Sequence, residues 1–291
     1  MSHPFIIWTM QRTGGTSLAD LLMEMSEHPR AEHEPFNRDR QFGAVTTAWG
    51  NTHDEAALGE ALAGILSQRY LIKHTYELRD MALNDALMKA AAATEYHHIF
   101  LERQDEPARL VSKHIAETNG TWFADYAAKV YGKIRAGERR LGAIPVKELV
   151  AAYHRCRQAT EEVREGMTRL GLVSFDVAYE ELYIGDRESR LRALNRLCLF
   201  LGFAPEVIEL NRAQIEERLF HGSQDTSSIL DHIPNLDEAV AALLAEGYRP
   251  IPGGLGSDRE RGADAPSPAE TPASGLGRIW RKLGAEAGGK R

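Results

Sequence analysis

The amino-acid sequence predicts an α/β fold with a central parallel sheet that is covered by helices on both faces. Four short apolar runs, each too short to form a helix, alternate along the chain with longer segments of helical periodicity. Runs that are apolar on every side are typical of strands buried on both faces of a parallel sheet. Since parallel strands need crossover connections, this alternation places helices on both faces of the sheet.

The first strand is predicted for Phe5–Trp8, and a glycine-containing loop at residues 9–15 leads from it into a helix. Apolar residues at spacings of three and four, which indicate one buried helix face, follow at positions 18, 21, 22 and 25. Further strands are predicted from apolar runs at residues 70–73, 97–101 and 172–175.

Most of the remaining chain is assigned to helices. Periodic segments predict them at residues 55–68, 78–93, 105–118, 122–170 with an interruption near 142–145, and after Tyr179–Leu182 up to Leu201. Asp105 is the expected N-cap of the third of these helices, with Pro107 near its start. Residues 29–54 are rich in charged and aromatic side chains and are expected to be irregular.

The composition of the chain changes near Pro250. Residues 1–249 are expected to form one domain, and residues 250–291, rich in Gly, Pro, Ser and Ala, a flexible tail without a core. Within this tail, residues 278–291 carry five Lys or Arg against one Glu, a net charge of +4. A weak contact of this basic end with an anionic membrane surface is one interpretation, and a solvated tail is the other.

Charge and composition argue against several classes of function. The chain of 291 residues has 35 Lys or Arg and 42 Asp or Glu, and this net charge of −7 argues against a broad nucleic-acid surface. Cys156 and Cys198 make no disulfide framework and are expected to be small buried hydrophobic residues. No histidine spacing indicates a metal site. Because no signal peptide or transmembrane segment is found, we expect a cytoplasmic protein.

The loop after the first strand has the features of an anion site. Residues 9–17 run from a strand through Gly14 and Gly15 into a helix N-terminus, where unpaired backbone N–H groups and the helix dipole favour negative charge. The loop lacks the Lys of the Walker pattern, and its single cation, Arg12, precedes the glycines. An ordinary nucleoside triphosphate with Mg²⁺ is therefore not the expected ligand.

A second group of polar residues follows the third predicted strand. Arg103 stands at the carboxyl end of this strand, where α/β sheets bind ligands. Ser112 follows nine residues later in the next helix, on the same face as Arg109. An Arg fork beside a helix hydroxyl is suited to binding a phosphate monoester.

Together these two segments resemble the cofactor motifs of sulfotransferases that use 3′-phosphoadenosine 5′-phosphosulfate (PAPS). The loop Gln11–Ser17 resembles the family's 5′-phosphosulfate loop, and Arg103 with Ser112 resembles its 3′-phosphate motif. The commonest version of that motif has its arginine where this chain has Gln104. The chain is most similar to the bacterial carbohydrate and glycolipid branch, which modifies trehalose and nodulation factors. Three weaker matches to that branch lie at residues 120–122, 179–182 and 233–236.

The resemblance implies a P-loop-like, three-layer α/β sandwich, the sulfotransferase fold, with a helical insertion after Trp122. It implies transfer of a sulfuryl group from PAPS to a hydroxyl of a carbohydrate, glycolipid or other small-molecule acceptor, with 3′,5′-ADP as the spent cofactor. A transferring sulfonate carries less charge than a terminal phosphate, so one cation and backbone donors suffice without a metal. The cofactor-binding residues that the motifs imply are Gln11, Arg12, Thr13, Gly14, Gly15, Thr16, Ser17, Arg103 and Ser112.

The acceptor hydroxyl needs a base, since it loses its proton as the new sulfur–oxygen bond forms. Glu34 is the first choice, because its setting, HEPFN, resembles the segment in which the carbohydrate branch places its catalytic Glu; Glu32 is an alternative. His74 is the second choice, because Lys73 and His74 resemble a strand-end pair of the cytosolic small-molecule branch. Lys73 would then bridge the leaving phosphate or the sulfonate. Arg12 is counted as catalytic because it would hold the transferring group.

Two other classes of function stay open. A P-loop kinase would use Glu102 as its Mg²⁺-binding acid, and a non-catalytic protein of the same fold would bind a nucleotide without turnover. Acceptor contacts are expected from the loop of residues 30–53 and from the helical insertion. The aromatic candidates there are Phe36, Trp49, Trp122 and Tyr126. The identity of the acceptor and the oligomeric state are open at this point.

Overall fold

The computed structural model of the protein describes residues 2–220 and 226–257. Met1–Gly256 forms one compact unit. The predicted basic end at residues 278–291 lies outside the described residues. None of the helices in the described ranges combines the length and the apolar character that crossing a membrane requires.

Four parallel strands form the sheet: β1 (Phe5–Thr9), β2 (Ile72–Thr75), β3 (His97–Glu102) and β4 (Ser174–Ala178). Their spatial order is β2-β1-β3-β4, so β1 lies between the second and third strands of the chain. Ile7 is the register partner of both Lys73 and Ile99. The predicted α/β class and the central parallel sheet are confirmed.

Twelve α-helices occur in the described residues. They are α1 (Gly15–Met25), α2 (Gly43–Thr52), α3 (Glu55–Ser67), α4 (Met81–Ala92), α5 (Glu106–Asn119), α6 (Ala124–Arg135), α7 (Val146–Arg169), α8 (Tyr179–Tyr183), α9 (Arg187–Phe200), α10 (Pro205–Leu210), α11 (Arg212–Phe220) and α12 (Leu236–Ala245). Two short 3₁₀ helices lie at Tyr76–Leu78 and Thr226–His232.

The core divides into two apolar clusters, one on each face of the sheet. Alternate residues of β1 point to opposite faces, with Ile6 and Trp8 in one cluster and Phe5 and Ile7 in the other. The first cluster contains side chains of α3 to α7 and α12, and the second those of α1, α9 and α11. Helices therefore cover both faces, as expected for strands that are buried on every side.

Two predicted strands begin later in the structure than in the sequence analysis. Before β2 joins β1, the Leu71 N–H donates to the Pro29 carbonyl, and the Leu71 carbonyl accepts from the Ala31 N–H. Before β4, the Leu172 N–H donates to the Met167 carbonyl and closes α7. These backbone groups are thus used by a loop and by a helix end.

One helix lies where an irregular segment was expected. Helix α2 interrupts the stretch at residues 29–54, and only Gly43 and Trp49 of its ten residues are buried. Its sequence therefore shows no apolar face of the kind that predicts a helix. The predicted cap was correct, since Asp105 Oδ1 accepts a hydrogen bond from the Ala108 N–H at the start of α5. Both cysteines are buried and unpaired, as expected.

Candidate functional site

A cavity of about 650 Å³ lies at the carboxyl edge of the sheet and brings the two predicted motifs together. This edge is where ligands bind in open parallel α/β sheets. Of the nine predicted cofactor residues, Thr13 alone does not line the cavity. Its side chain is buried, and Oγ1 donates a hydrogen bond of 2.8 Å to the Met10 carbonyl, so it shapes the loop from within.

The N-terminus of α1 opens onto this cavity as an anion cradle. Gly14 is the N-cap residue, no side chain caps the helix, and Leu18 N–H is the donor to the Gly14 carbonyl. The N–H groups of residues 15–17 are therefore those that a helix leaves without intrahelical partners. Together with the helix dipole, they favour a bound anion.

Neither glycine of the loop could carry a side chain without displacing a neighbour. Gly14 has a φ of 78°, and a Cβ on it would lie 2.6 Å from Cε2 of Tyr183. A Cβ on Gly15 would lie 2.8 Å from Cγ2 of Thr9. The helix start thus approaches the sheet and α8 closely, which keeps the cradle narrow.

Three side chains outside the loop fix its backbone. Glu77 Oε1 accepts a hydrogen bond of 2.7 Å from the Gln11 N–H. The guanidinium of Arg109, which is fully buried, donates to the Gln11 carbonyl at 3.4 Å. Arg103 Nη1 donates to the Arg12 carbonyl at 3.3 Å. The loop conformation is therefore set before any ligand arrives. Sequence reasoning missed Glu77, which no motif marks.

Arg12 connects the two motifs directly. Its Nε donates a hydrogen bond of 3.0 Å to Ser112 Oγ, across 100 positions of sequence. Its φ of 66° is rare for a residue with a side chain, and such strain is concentrated at functional sites. Burial lowers the pKa of Arg12, and the positive charge of Arg103 acts in the same direction. A bound anion would offset both the burial of Arg12 and its repulsion by Arg103.

Arg103 lines the cavity from the end of β3. Its guanidinium lies over the ring of Tyr179, 4.5 Å from the centroid, and its buried Nε has no hydrogen-bond partner within the described residues. Gln104 is exposed and does not line the cavity. Its N–H donates to Glu180 Oε2, which joins this corner to α8. The arginine at position 103 is therefore the one that faces the site.

Buried Lys73 and half-buried Glu34 form an ion pair on the β2 side of the cavity. Lys73 Nζ lies 2.9 Å from Glu34 Oε1 and donates to Thr16 Oγ1 at 3.3 Å. Asn37 Nδ2 donates to the second carboxylate oxygen at 3.0 Å. Burial alone would raise the pKa of Glu34, but the charge and hydrogen bond of Lys73 outweigh it, and the pKa lies below its usual value. Like Arg12, Glu34 has a positive φ, of 54°.

The structure does not bring the other two candidate bases into the cavity. His74 is buried on the opposite face of β2, where its Nε2 lies 2.6 Å from Asn84 Oδ1 and its ring packs against Trp8. Burial lowers the pKa of His74 to about 4, so it is neutral at neutral pH. Glu32 is exposed, and its Oε2 accepts from the Gln41 N–H outside the cavity.

An additional charged cluster, which no sequence motif marked, lines the cavity beside Glu34. His33 Nε2 lies 2.9 Å from Asp20 Oδ1, and Arg218 Nη1 lies 3.2 Å from Asp20 Oδ2. Burial would raise the pKa of Asp20, but the hydrogen bond from His33 and the charges of His33 and Arg218 lower it overall. The cluster ties α1, the loop before α2 and α11 together at the cavity wall.

The aromatic candidates for acceptor contacts separate into two groups. Trp122 and Phe123 line the cavity at its β3 side and are 39% and 75% exposed. Phe36 and Trp49 are buried in the core, and Trp49 Nε1 donates to Asp80 Oδ2 at 2.7 Å. Tyr126, the fourth candidate, is 49% exposed but does not line the cavity. Phe123, Tyr179 and Tyr183 line the cavity together with Trp122, although they were not among the aromatic candidates.

The carboxylate that a kinase would use is placed elsewhere. Glu102 lines an adjoining cavity of about 320 Å³, which shares Met10 and Arg103 with the first, and its Oε2 lies 2.8 Å from Nη2 of Arg164. In the part of the chain that the structure describes, no three His, Cys, Asp or Glu side chains are grouped as a metal site requires.

Comparison of the chain with protein-family models, with curated proteins and with solved structures gives no significant match.

Proposed function

We propose that the protein is a sulfotransferase that transfers a sulfuryl group from PAPS to a hydroxyl of an acceptor, with a carbohydrate or glycolipid as the acceptor class. The observation that carries the proposal is the hydrogen bond between Arg12 and Ser112. It places a helix N-terminus beside a second, separate cationic site in one cavity. Such an arrangement suits a ligand with two separate phosphate groups better than a single triphosphate chain.

Each end of the cofactor has its own set of donors under this proposal. The N–H groups at the start of α1, with Arg12, bind the 5′-phosphosulfate. Arg103, which lines the cavity, binds the 3′-phosphate together with Ser112. Because Arg12 Nε is already bonded to Ser112, its two remaining guanidinium nitrogens are left for phosphate oxygens. Arg12 then contacts both ends.

The acceptor enters on the β2 side, where Glu34 is the base. An ionised carboxylate beside Lys73 is a weak base in the resting site, because the ion pair lowers its pKa. Lys73 also reaches Thr16 at the cradle, so an incoming sulfonate competes for the same ammonium. When Lys73 turns toward the sulfonate, Glu34 regains basicity as the acceptor hydroxyl must lose its proton.

The kinase alternative is less well supported. Glu102 is paired with Arg164 and is not among the residues that line the cavity of the anion cradle. A non-catalytic nucleotide-binding protein would have the same cradle, and it differs from an enzyme only in turnover.

Calorimetric titration with 3′,5′-ADP, ADP and ATP with Mg²⁺ tests the proposal. We expect selective binding of 3′,5′-ADP without metal, lost in Arg12→Ala and in Arg103→Ala but retained in Arg140→Ala, an exposed arginine that does not line the cavity. At a ligand concentration 100-fold above Kd, the stability gain is about 2.7 kcal/mol. Binding of ATP with Mg²⁺ alone would contradict the proposal and favour a kinase.

A further inference from the structure

The hydroxyl of Thr226 lies at the centre of a buried chain of polar side chains. Its Oγ1 is 3.2 Å from Ser112 Oγ and 3.3 Å from the Tyr131 hydroxyl oxygen. All three residues are buried. Ser112 Oγ also accepts the hydrogen bond from Arg12 Nε. The chain thus joins the loop after β1, helices α5 and α6, and the 3₁₀ helix Thr226–His232.

The number of available protons allows one arrangement in which every hydroxyl of this hydrogen-bonded chain donates in the direction of a bound anion. A guanidinium has no acceptor, so Ser112 Oγ accepts from Arg12, and each hydroxyl has one proton to donate. If Ser112 donates to a phosphate oxygen, Thr226 donates to Ser112, and Tyr131 donates to Thr226. Every donor then points along the chain toward the phosphate, and aligned hydrogen bonds of this kind strengthen one another.

We propose that Thr226 and Tyr131 are positioning residues for the 3′-phosphate of the cofactor. They hold and polarise the Ser112 hydroxyl without touching the ligand themselves. This inference rests on the proposed function, because it assigns the phosphate bound by Ser112 to the 3′ position. It also makes α6, in the predicted helical insertion, a part of cofactor recognition through Tyr131.

The test compares 3′,5′-ADP with 5′-AMP, which lacks the 3′-phosphate, by calorimetric titration of the full chain. Thr226→Val keeps the shape of the side chain and removes the hydroxyl. This substitution should raise the Kd for 3′,5′-ADP about tenfold and change the Kd for 5′-AMP by less than about twofold. Thr226→Ser should restore most of the affinity, and Tyr131→Phe should cost about threefold, for 3′,5′-ADP alone.

Ser228→Ala is the matched control, because this hydroxyl lies in the same 3₁₀ helix and accepts from Arg135. It should change neither affinity. An equal loss for both nucleotides in Thr226→Val, or no loss, overturns the inference; if that variant does not fold, Tyr131→Phe decides by the same criterion. Wild-type protein that binds the two nucleotides equally contradicts the proposed function itself, and the inference with it.

Discussion

Lys73 and Glu34 are joined by an ion pair of 2.9 Å between Nζ and Oε1, and the same ammonium lies 3.3 Å from Thr16 Oγ1 at the start of α1. One cation therefore contacts both the anion cradle and the candidate base. Because an anion in the cradle competes with Glu34 for Lys73, anion binding and the basicity of Glu34 are coupled. Lys73 therefore links the cofactor side of the cavity, at the anion cradle, to the acceptor side, at Glu34.

Removing the candidate base should separate catalysis from cofactor binding. In Glu34→Gln, we expect kcat to fall by about 100-fold or more, because general base catalysis contributes factors of this size. The Kd for 3′,5′-ADP should not increase, since the cofactor donors lie on other elements and Lys73 is released from Glu34 for the anion. Steady-state kinetics with an acceptor found by screening, and calorimetry, measure the two quantities.

The matched control is Glu32→Gln. Glu32 is two positions away and exposed, and it does not line the cavity, so its loss should leave kcat unchanged. Full activity in Glu34→Gln, or an equal loss in the two variants, would exclude Glu34 as the base.

Removing the cation of the pair should destabilise the protein in a pH-dependent way. In Lys73→Met, the burial of Glu34 is no longer offset by a positive charge, although the hydrogen bond from Asn37 stays, and we expect the pKa of Glu34 to rise above the value in the unfolded chain. A group whose folded pKa is raised contributes stability below its unfolded pKa and loses it as the pH increases. Urea unfolding should therefore show a loss of about 2 kcal/mol at pH 7 and a smaller loss at pH 4.

Glu34→Gln in the Lys73→Met background serves as the internal control, because it removes the unpaired charge. The double variant should recover most of the lost stability at pH 7. A loss that is the same at both pH values and is not recovered would mean that Lys73 stabilises the protein by packing alone.

The meeting of the two motifs could be anticipated in part from the sequence. Both follow strands of one parallel sheet, and carboxyl ends of parallel strands lie at one edge. That β1 and β3 are direct neighbours, which brings Arg12 to Ser112, depends on the strand order and is not written in any local pattern. The same holds for Thr226, which stands in the polar run QDTSS without a recognisable motif, more than 100 positions from its partner Ser112.

Strand geometry explains why only one of the neighbouring residues Lys73 and His74 faces the cavity. Successive residues of a strand point to opposite faces, so the two cannot reach the same cavity. Lys73 lies on the face that packs against α1, and His74 packs beside Trp8 on the other face. Sequence reasoning identified both as strand-end residues, but the sequence did not show which face the site would occupy.

Because the start of α1 lies close to α8, substitution of Gly14 should destabilise the protein more than substitution of Gly137, a glycine with a similar φ. Gly14 and Gly137 have φ values of 78° and 76°, but a Cβ meets Tyr183 only at Gly14, and at Gly137 it meets nothing within 4 Å. Gly137→Ala should cost about 1 kcal/mol from the backbone alone. Gly14→Ala should cost a further 1–3 kcal/mol, roughly, and abolish 3′,5′-ADP binding.

Thermal or urea unfolding measures both costs, and titration measures the binding. Equal destabilisation by the two substitutions would show that Tyr183 moves aside easily and that the cradle is wider than the contacts indicate. Retained binding in Gly14→Ala would place the anion away from the N-terminus of α1.

Two buried histidines should make the protein sensitive to mild acid. Burial lowers the pKa of both His74 and His98 to about 4, below the value of about 6.5 in an unfolded chain. Between these values the unfolded state binds protons that the folded state does not, so stability rises with pH across this window and falls on acidification. When the pH falls from 7 to 5, each histidine should lower the free energy of unfolding by about 2 kcal/mol.

Urea unfolding at pH 5 and pH 7 measures the cost of acidification. His74→Gln can still donate to Asn84 and His98→Asn can still accept from the Trp8 indole N–H, but neither side chain titrates. Each should therefore reduce the difference between the two pH values by about 2 kcal/mol. His232→Gln is the control, because an exposed side chain changes its solvation little on folding. An unchanged difference in both buried variants would mean that carboxylates, and not these imidazoles, govern the response to acid.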